Sequence, residues 1–213
     1  MNMEKVPYYL KKEKTALLVV DMQNDFTREG GALELPDMRD KIPSVNKLIN
    51  ASRELNIPII FIKFISGPKK TLVWNWTPSI NPPTKCCWKN HKRFYPDIKK
   101  EEEVTEIVDE ITVLNEDYIV EKYSYGAFYN TELEDVLRSL AVEFIIVCGG
   151  ATPVCINDTV TGAFERQFKL VVAEDAVASF DEDFKKFSMK LFDMKYGRVS
   201  SVEEIISELI SKK

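Results

Sequence analysis

Thr15-Ala16-Leu17-Leu18-Val19-Val20-Asp21 is the stretch on which the fold turns: an uncharged, partly β-branched run with no polar alternation, closed by a carboxylate. A run this continuous reads as a strand buried on both faces, and such strands belong to parallel sheets covered by helices. Ile57–Phe64 and Phe144–Cys148 read the same way. Tyr118–Glu121 is a strand ending at Lys122, and Lys169–Ala173 is a further one. Helical patterns fall between them. Ile42, Val45, Leu48, Ile49 and Leu55 keep a helical period, with Pro43 near its start. Thr131 is placed to cap a helix, with Glu134 at the capping-box position and Leu133, Val136, Leu137 and Leu140 on its inner face. Glu101–Ile111 reads as a short acidic helix, and Asp183–Lys195 and Val202–Ile210 as the closing helices. The expected fold class is α/β, a doubly wound sheet of about six mostly parallel strands with helices on both faces, filling residues 1–213 as one domain. One stretch breaks the pattern. Ser66–Pro96 holds Pro68, Pro78, Pro82, Pro83 and Pro96, all three tryptophans and the adjacent Cys86 and Cys87, and reads as a long irregular insertion over the sheet.

Composition excludes several classes of function. The net charge is −5 over 213 residues, and the two signs are interspersed, which argues against a nucleic-acid binder. The longest apolar runs are strand-sized, too short to cross a bilayer, so no membrane partner is expected. Near the start, Lys11, Lys12, Glu13 and Lys14 precede only a short apolar run, which does not make a signal peptide. The four cysteines form no C-x-x-C pair and no disulfide framework; reduced thiols in a cytoplasm are the simplest reading. The single histidine, His91, would have to carry any serine–histidine–acid chemistry or histidine-based metal site. It sits among Lys89, Lys92 and Arg93, which reads as a solvated basic loop. Cys86 and Cys87 are given no catalytic role.

In open parallel sheets ligands bind beyond the carboxyl ends of the strands. That rule selects Asp21, Lys63–Phe64, Lys122, the Gly149–Cys155 turn and Glu174–Asp175. Three of these ends carry an acid, an amine and a thiol. A cysteine entering a helix feels the positive end of its dipole, a lysine stabilises the same thiolate, and an aspartate accepts the thiol proton. Each residue also has a plain structural reading: Asp21 as a turn cap, Lys122 as a surface ion pair, Cys155 as a small buried apolar residue. A nucleotide-binding reading of the sheet is weakened by the lack of a G-x-G-x-x-G turn after Asp21 and of any P-loop.

The wording of the motifs narrows these alternatives. Leu17-Leu18-Val19-Val20-Asp21-Met22-Gln23-Asn24-Asp25-Phe26 resembles the opening strand of the isochorismatase-like cysteine hydrolases. Glu121-Lys122-Tyr123-Ser124-Tyr125-Gly126-Ala127-Phe128 resembles their lysine segment, and Asn130-Thr131-Glu132-Leu133 follows it as in the family. Cys148-Gly149-Gly150-Ala151-Thr152-Pro153-Val154-Cys155 resembles their nucleophile turn, and Val172-Ala173-Glu174-Asp175-Ala176 their next strand. The resemblance runs from about Lys14 to the C-terminal helix and is weakest between Ser66 and Glu116.

The resemblance implies a Rossmann-like three-layer sandwich and a hydrolase of a small amide or carbamoyl compound. Asp21 is then the general base, Lys122 the orienting cation and Cys155 the nucleophile, with an oxyanion hole from the backbone N–H groups of Ala151 and Cys155. It also implies a non-proline cis peptide at Gly150–Ala151 and a pocket-lining place for Phe26; Tyr125 and Phe128, which follow the lysine, are expected to wall the site, and Gly150 and Thr152 to contact substrate. Pro153 departs from the asparagine or aspartate common at that place. Nicotinamidases of the family hold a metal after the second strand; here Lys63-Phe64-Ile65-Ser66 stands there, so neither a metal nor any other cofactor is expected. The family implies a homo-oligomer, dimer or tetramer; the insertion bearing Trp74, Trp76 and Trp88 is open to a role as lid or interface, with at least two of the three expected to pack in a core or interface. Vinyl ether hydrolysis of the isochorismatase type and an inactive binding protein are the competing readings.

Overall fold

Alternate residues of Thr15–Val20 (β1) face opposite sides of one sheet, so the run builds two cores. In this computed structural model, which describes residues 8–71, 73–76 and 84–211, Leu17 and Val19 join one buried cluster. Ala16, Leu18 and Val20 join the other. All six residues of β1 are buried.

β1 pairs in parallel with Ile59–Phe64 (β2) on one side and with Phe144–Gly149 (β6) on the other. Tyr118–Lys122 (β5) extends the sheet beyond β2, while Lys169–Val177 (β7) and Arg198–Ser200 (β8) extend it beyond β6. The order is β5-β2-β1-β6-β7-β8, six strands and all parallel. The chain steps away from β1 in both directions, so a crevice opens at the carboxyl ends of β1 and its neighbours.

The short helix Asn24–Thr27 (α1) follows β1, and longer helices cover both faces. Met38–Glu54 (α2) and Val202–Ile210 (α7) bury Val45, Leu48, Ile49, Ile205 and Leu209 in the first core. Leu133–Ser139 (α4) and Asn157–Glu165 (α5) bury Leu133, Leu137, Val160 and Ala163 in the second. The layered α/β architecture expected from the sequence is the one observed.

Several local expectations are corrected. Glu101–Ile111 is not a helix. Lys92–Tyr95 (β3) and Lys100–Glu103 (β4) form an antiparallel hairpin in which Lys92 faces Glu103 and Arg93 faces Glu102. Opposite charges across the ladder give the acidic run a partner that a lone helix would lack. The hairpin also means that the insertion is not irregular throughout, and it contains the short helix Val73–Trp76 (α3) as well. Helix α2 starts at Met38, so Pro43 lies inside it and forgoes one helical hydrogen bond. Thr131 does not cap α4, whose N-cap is Glu132; its hydroxyl accepts from Leu133 N–H at 3.3 Å. Glu134 pairs with Arg166 at 2.7 Å, and among the described residues the capping box is Ser201 with Glu204 on α7. The closing helical stretch is Glu182–Leu191 (α6), continued by a wider turn over Phe192–Tyr196. β7 runs on to Val177, four residues past its expected end at Ala173.

Candidate active site

Three strand ends converge in the crevice. Asp21 follows β1 with φ of 54°, a left-handed conformation that aspartate tolerates better than most side chains. Its backbone N–H donates to Ile62 O at 2.9 Å, which fixes it against β2. Lys122 is the last residue of β5, two strands away, in register with Phe64. Its side chain crosses the Phe64 ring, with Nζ 4.8 Å from the ring centroid, and reaches Asp21 Oδ2 at 2.8 Å. Nζ also donates to Cys155 Sγ at 3.3 Å and to Ser124 O at 3.3 Å. Lys122 is fully buried, Asp21 is 1% exposed and Cys155 is 6% exposed. A buried ammonium between an acid and a thiol thus occupies the place that the strand-end rule selects.

The turn that carries Cys155 is built on two glycines. Gly149 has φ of 107°, and a side chain there would put a Cβ 2.0 Å from Val20 O. The Gly150–Ala151 peptide is cis, as the resemblance implies. A Cβ on Gly150 would meet Met38 Sδ at 2.8 Å. Thr152–Ile156 then forms a single wide π-type turn ahead of α5, with Pro153 accommodated in its first positions. The N–H groups of Thr152, Val154 and Ile156 are engaged by Ala178 O, Ala151 O and Ala151 O respectively.

Electrostatics departs from the thiolate expected on dipole grounds. Burial pushes the Cys155 thiol far above its ordinary value, and Lys122 offsets this only in part. Burial also raises Asp21, against the pull of Lys122. For Lys122, burial works downward, yet the Asp21 carboxylate and Cys155 together raise it. Burial thus favours a neutral thiol at Cys155, while Asp21 and Lys122 each favour the other's charged form.

A cavity of about 330 Å³ opens beside Cys155, lined by Phe26, Phe64, Tyr125, Ala151, Val154 and Phe180, together with the segment Leu33–Leu35. Of the expected substrate contacts, Phe26 and Tyr125 line it; Phe128, Gly150 and Thr152 do not. Phe128 packs against Phe168 in the second core, with ring centroids 6.0 Å apart. Thr152 is buried, and its hydroxyl donates to Ala178 O at 2.7 Å. Gly150 shapes the turn. The walls missed in the sequence are Leu33, Glu34, Leu35, Phe64, Val154 and Phe180. Phe64 was within reach of the strand-end rule. Phe180 was not, because β7 ends at Val177 and not at Ala173.

The other selected positions are occupied otherwise. Lys63 pairs with Glu106 at 2.7 Å, and Asp175 accepts from Val202 N–H at 2.8 Å. After β2, the Ser66 hydroxyl donates to Cys86 O, and no imidazole is present there. Trp74 packs against Trp88 with tilted rings, centroids 5.1 Å apart, and donates to Ser66 O; the Trp76 side chain lies outside the described residues. Asp25, Cys86 and Cys87 form a buried cluster with possible metal-ligand atoms within 4.8 Å of one another. Asp25 is nevertheless fully engaged, by Arg93 Nε at 2.7 Å, Tyr95 Oη at 2.8 Å and Cys87 N at 2.9 Å. A cation there would have to displace a guanidinium, so the cluster reads as an anchor for the insertion.

Comparison with known proteins follows the same lines. The isochorismatase domain family model matches residues 15–204. A ureidoacrylate amidohydrolase, RutB, of Pseudomonas syringae pv. syringae (strain B728a) is 31% identical over 93% of this chain and 84% of its own length. The crystal structure of a cysteine hydrolase from Pseudomonas syringae pv. phaseolicola 1448A superimposes with a TM-score of 0.87 at 26% identity, covering 98% of both chains. N-carbamoylsarcosine amidase from Thermoplasma acidophilum superimposes with a TM-score of 0.73 at 27% identity, covering 90% of this chain and 98% of that one.

Proposed function

The chain belongs to the isochorismatase family, and from that premise we propose that it is a cysteine amidohydrolase cleaving a C–N bond of a small amide or carbamoyl compound. The observation that carries this reading is the buried Lys122 ammonium, 2.8 Å from Asp21 and 3.3 Å from Cys155, at the wall of an apolar cavity.

Cys155 Sγ attacks the substrate carbonyl carbon while the thiol proton passes to Asp21. Transfer at the moment of attack suits a thiol that burial keeps neutral in the free enzyme. Lys122 stabilises the sulfur as it becomes anionic. The tetrahedral oxyanion rests on the backbone N–H groups of Ala151 and Cys155, the proposed oxyanion hole. Collapse breaks the C–N bond; the proton on Asp21 moves to the departing nitrogen, and ammonia or an amine leaves. The carbonyl carbon stays on Cys155 as a thioester. Water then adds to it, Asp21 takes the water's proton, and the same proton returns to sulfur as the acid is released. Vinyl ether cleavage of the isochorismatase type has no comparable use for a thiol held beside a buried ammonium.

The reading extends to the whole molecule: residues 1–213 as one hydrolase domain, acting in the cytoplasm as a homo-oligomer. All four cysteines are free and buried, which fits a reducing compartment. Among the described residues no helix is long and apolar enough to cross a membrane. Phe184 and Phe187, exposed on α6, offer an apolar face for a second copy. Light scattering of the purified protein tests the assembly.

The chemistry is tested by ammonia release from a panel of amides, ureas and carbamoyl compounds, with mass spectrometry of quenched enzyme. An adduct on the Cys155 peptide, formed and lost with turnover, supports the reading. Undiminished release by Cys155→Ala overturns it.

A further inference from the structure

The cavity beside Cys155 is unusual in what its wall lacks. Its lining is aromatic and aliphatic apart from one charged residue, Glu34. No lysine or arginine lines it among the described residues. Lys122 is the cation of the catalytic group, already engaged by Asp21, Cys155 and Ser124 O.

Glu34 is held as an anion. Burial works against this, but the Gly30 N–H at 2.9 Å and Arg39 at 2.7 Å keep its carboxyl below the usual carboxylate range. Arg39, the guanidinium beside it, is fixed by Glu34 and by Thr27 O at 2.8 Å. A carboxylate entering this cavity would lose water without gaining a free counter-ion, since Arg39 is already paired with Glu34, and Glu34 adds a carboxylate to the same wall. Both effects discriminate against it without touching the reacting carbonyl.

Resting on the amidohydrolase reading above, we propose that this enzyme selects substrates that carry no carboxylate, namely uncharged amide or carbamoyl compounds on an apolar body, and that Glu34 is the residue that turns away anionic ureido acids. An apolar, partly aromatic body matches walls made of Phe26, Phe64, Tyr125 and Phe180.

The test uses a pair matched in shape, N-carbamoyl-β-alanine and its uncharged carboxamide. Binding of each to the Cys155→Ala protein is measured by calorimetry, and kcat and KM of each with the wild-type enzyme. Tighter binding of the neutral compound by at least about tenfold, with the discrimination in KM more than in kcat, is expected. Glu34→Gln should narrow that preference by about tenfold, because it removes the like charge and frees Arg39. Equal or tighter binding of the acid, or no binding of either compound, overturns the proposal. So does an unchanged preference in the Glu34 variant. The binding measurement needs no turnover, so a failure of selectivity is told apart from a failure of the amidohydrolase reading, which shows instead as absent ammonia release.

Discussion

Two buried clusters stand four residues apart in the chain, and each joins an aspartate, a cation and cysteine. Asp21 meets Lys122 and Cys155; Asp25 meets Arg93, with Cys86 and Cys87 beside it. In the second, the carboxylate accepts from a guanidinium, a phenol and a backbone amide, and both thiols are completely enclosed. Every polar atom of that aspartate has a permanent partner, so nothing is left to react. In the first, the ammonium is shared between acid and thiol, and Cys155 opens on a cavity that a substrate can enter. The same ingredients therefore give an anchor or a reaction centre according to what remains unsatisfied and what faces solvent.

The comparison can be broken most decisively at the sulfur atoms. Cys155→Ala should lower turnover by about 10⁴-fold or more while the melting temperature holds within a few degrees. Retained turnover would remove the first cluster from the chemistry. Next in size is Asp25→Asn, which leaves the partly buried Arg93 without its counter-charge. Urea unfolding should show a loss of about 3 kcal/mol, with turnover per folded molecule little changed. A variant that is stable but inactive would mean that Asp25 belongs to the reaction after all.

A pH profile sharpens the contrast further. Asp21 works as a base only when ionised, and burial raises its pKa. Turnover should therefore fall as pH drops, starting above the ordinary carboxylate range. Lys122 is raised as well, so the alkaline loss should begin above the ordinary lysine range. An acid limb at ordinary carboxylate values would contradict the buried pair. The smallest expected effect comes from Cys87→Ser: about 1 kcal/mol or less in stability and unchanged kinetics. In native protein, iodoacetamide followed by peptide mapping should label Cys155 and spare Cys86 and Cys87, since only Cys155 faces the cavity.

The layered sheet was legible because β1, β2 and β6 are buried on both faces and so read as unbroken apolar runs. The catalytic candidates were legible because Asp21 and Lys122 stand at strand ends and Cys155 in the turn after β6, and because the motifs around all three resemble one family. The hairpin of β3 and β4 was hidden, since an acidic run reads alike on a solvated helix and on a strand whose partner is basic. The cavity walls were only partly visible. Leu33 and Leu35 lie in a loop with no periodicity to read, and Phe180 depended on where β7 stops. Phe128 shows the reverse case: at the end of the lysine segment in sequence, it packs against Phe168 in the second core and does not line the cavity.

Gln23, between the two aspartates, ties the molecule in a further way. Its amide donates to Phe64 O at 3.0 Å and to Thr105 O at 2.9 Å, and accepts from Phe64 N–H at 2.7 Å. One short helix, Asn24–Thr27 with Gln23 at its cap, thus grips both ends of a forty-residue excursion from the sheet. For a protein engineer this marks a socket: a segment grafted here has to supply a carbonyl at the place of Thr105 and the donors that meet Asp25.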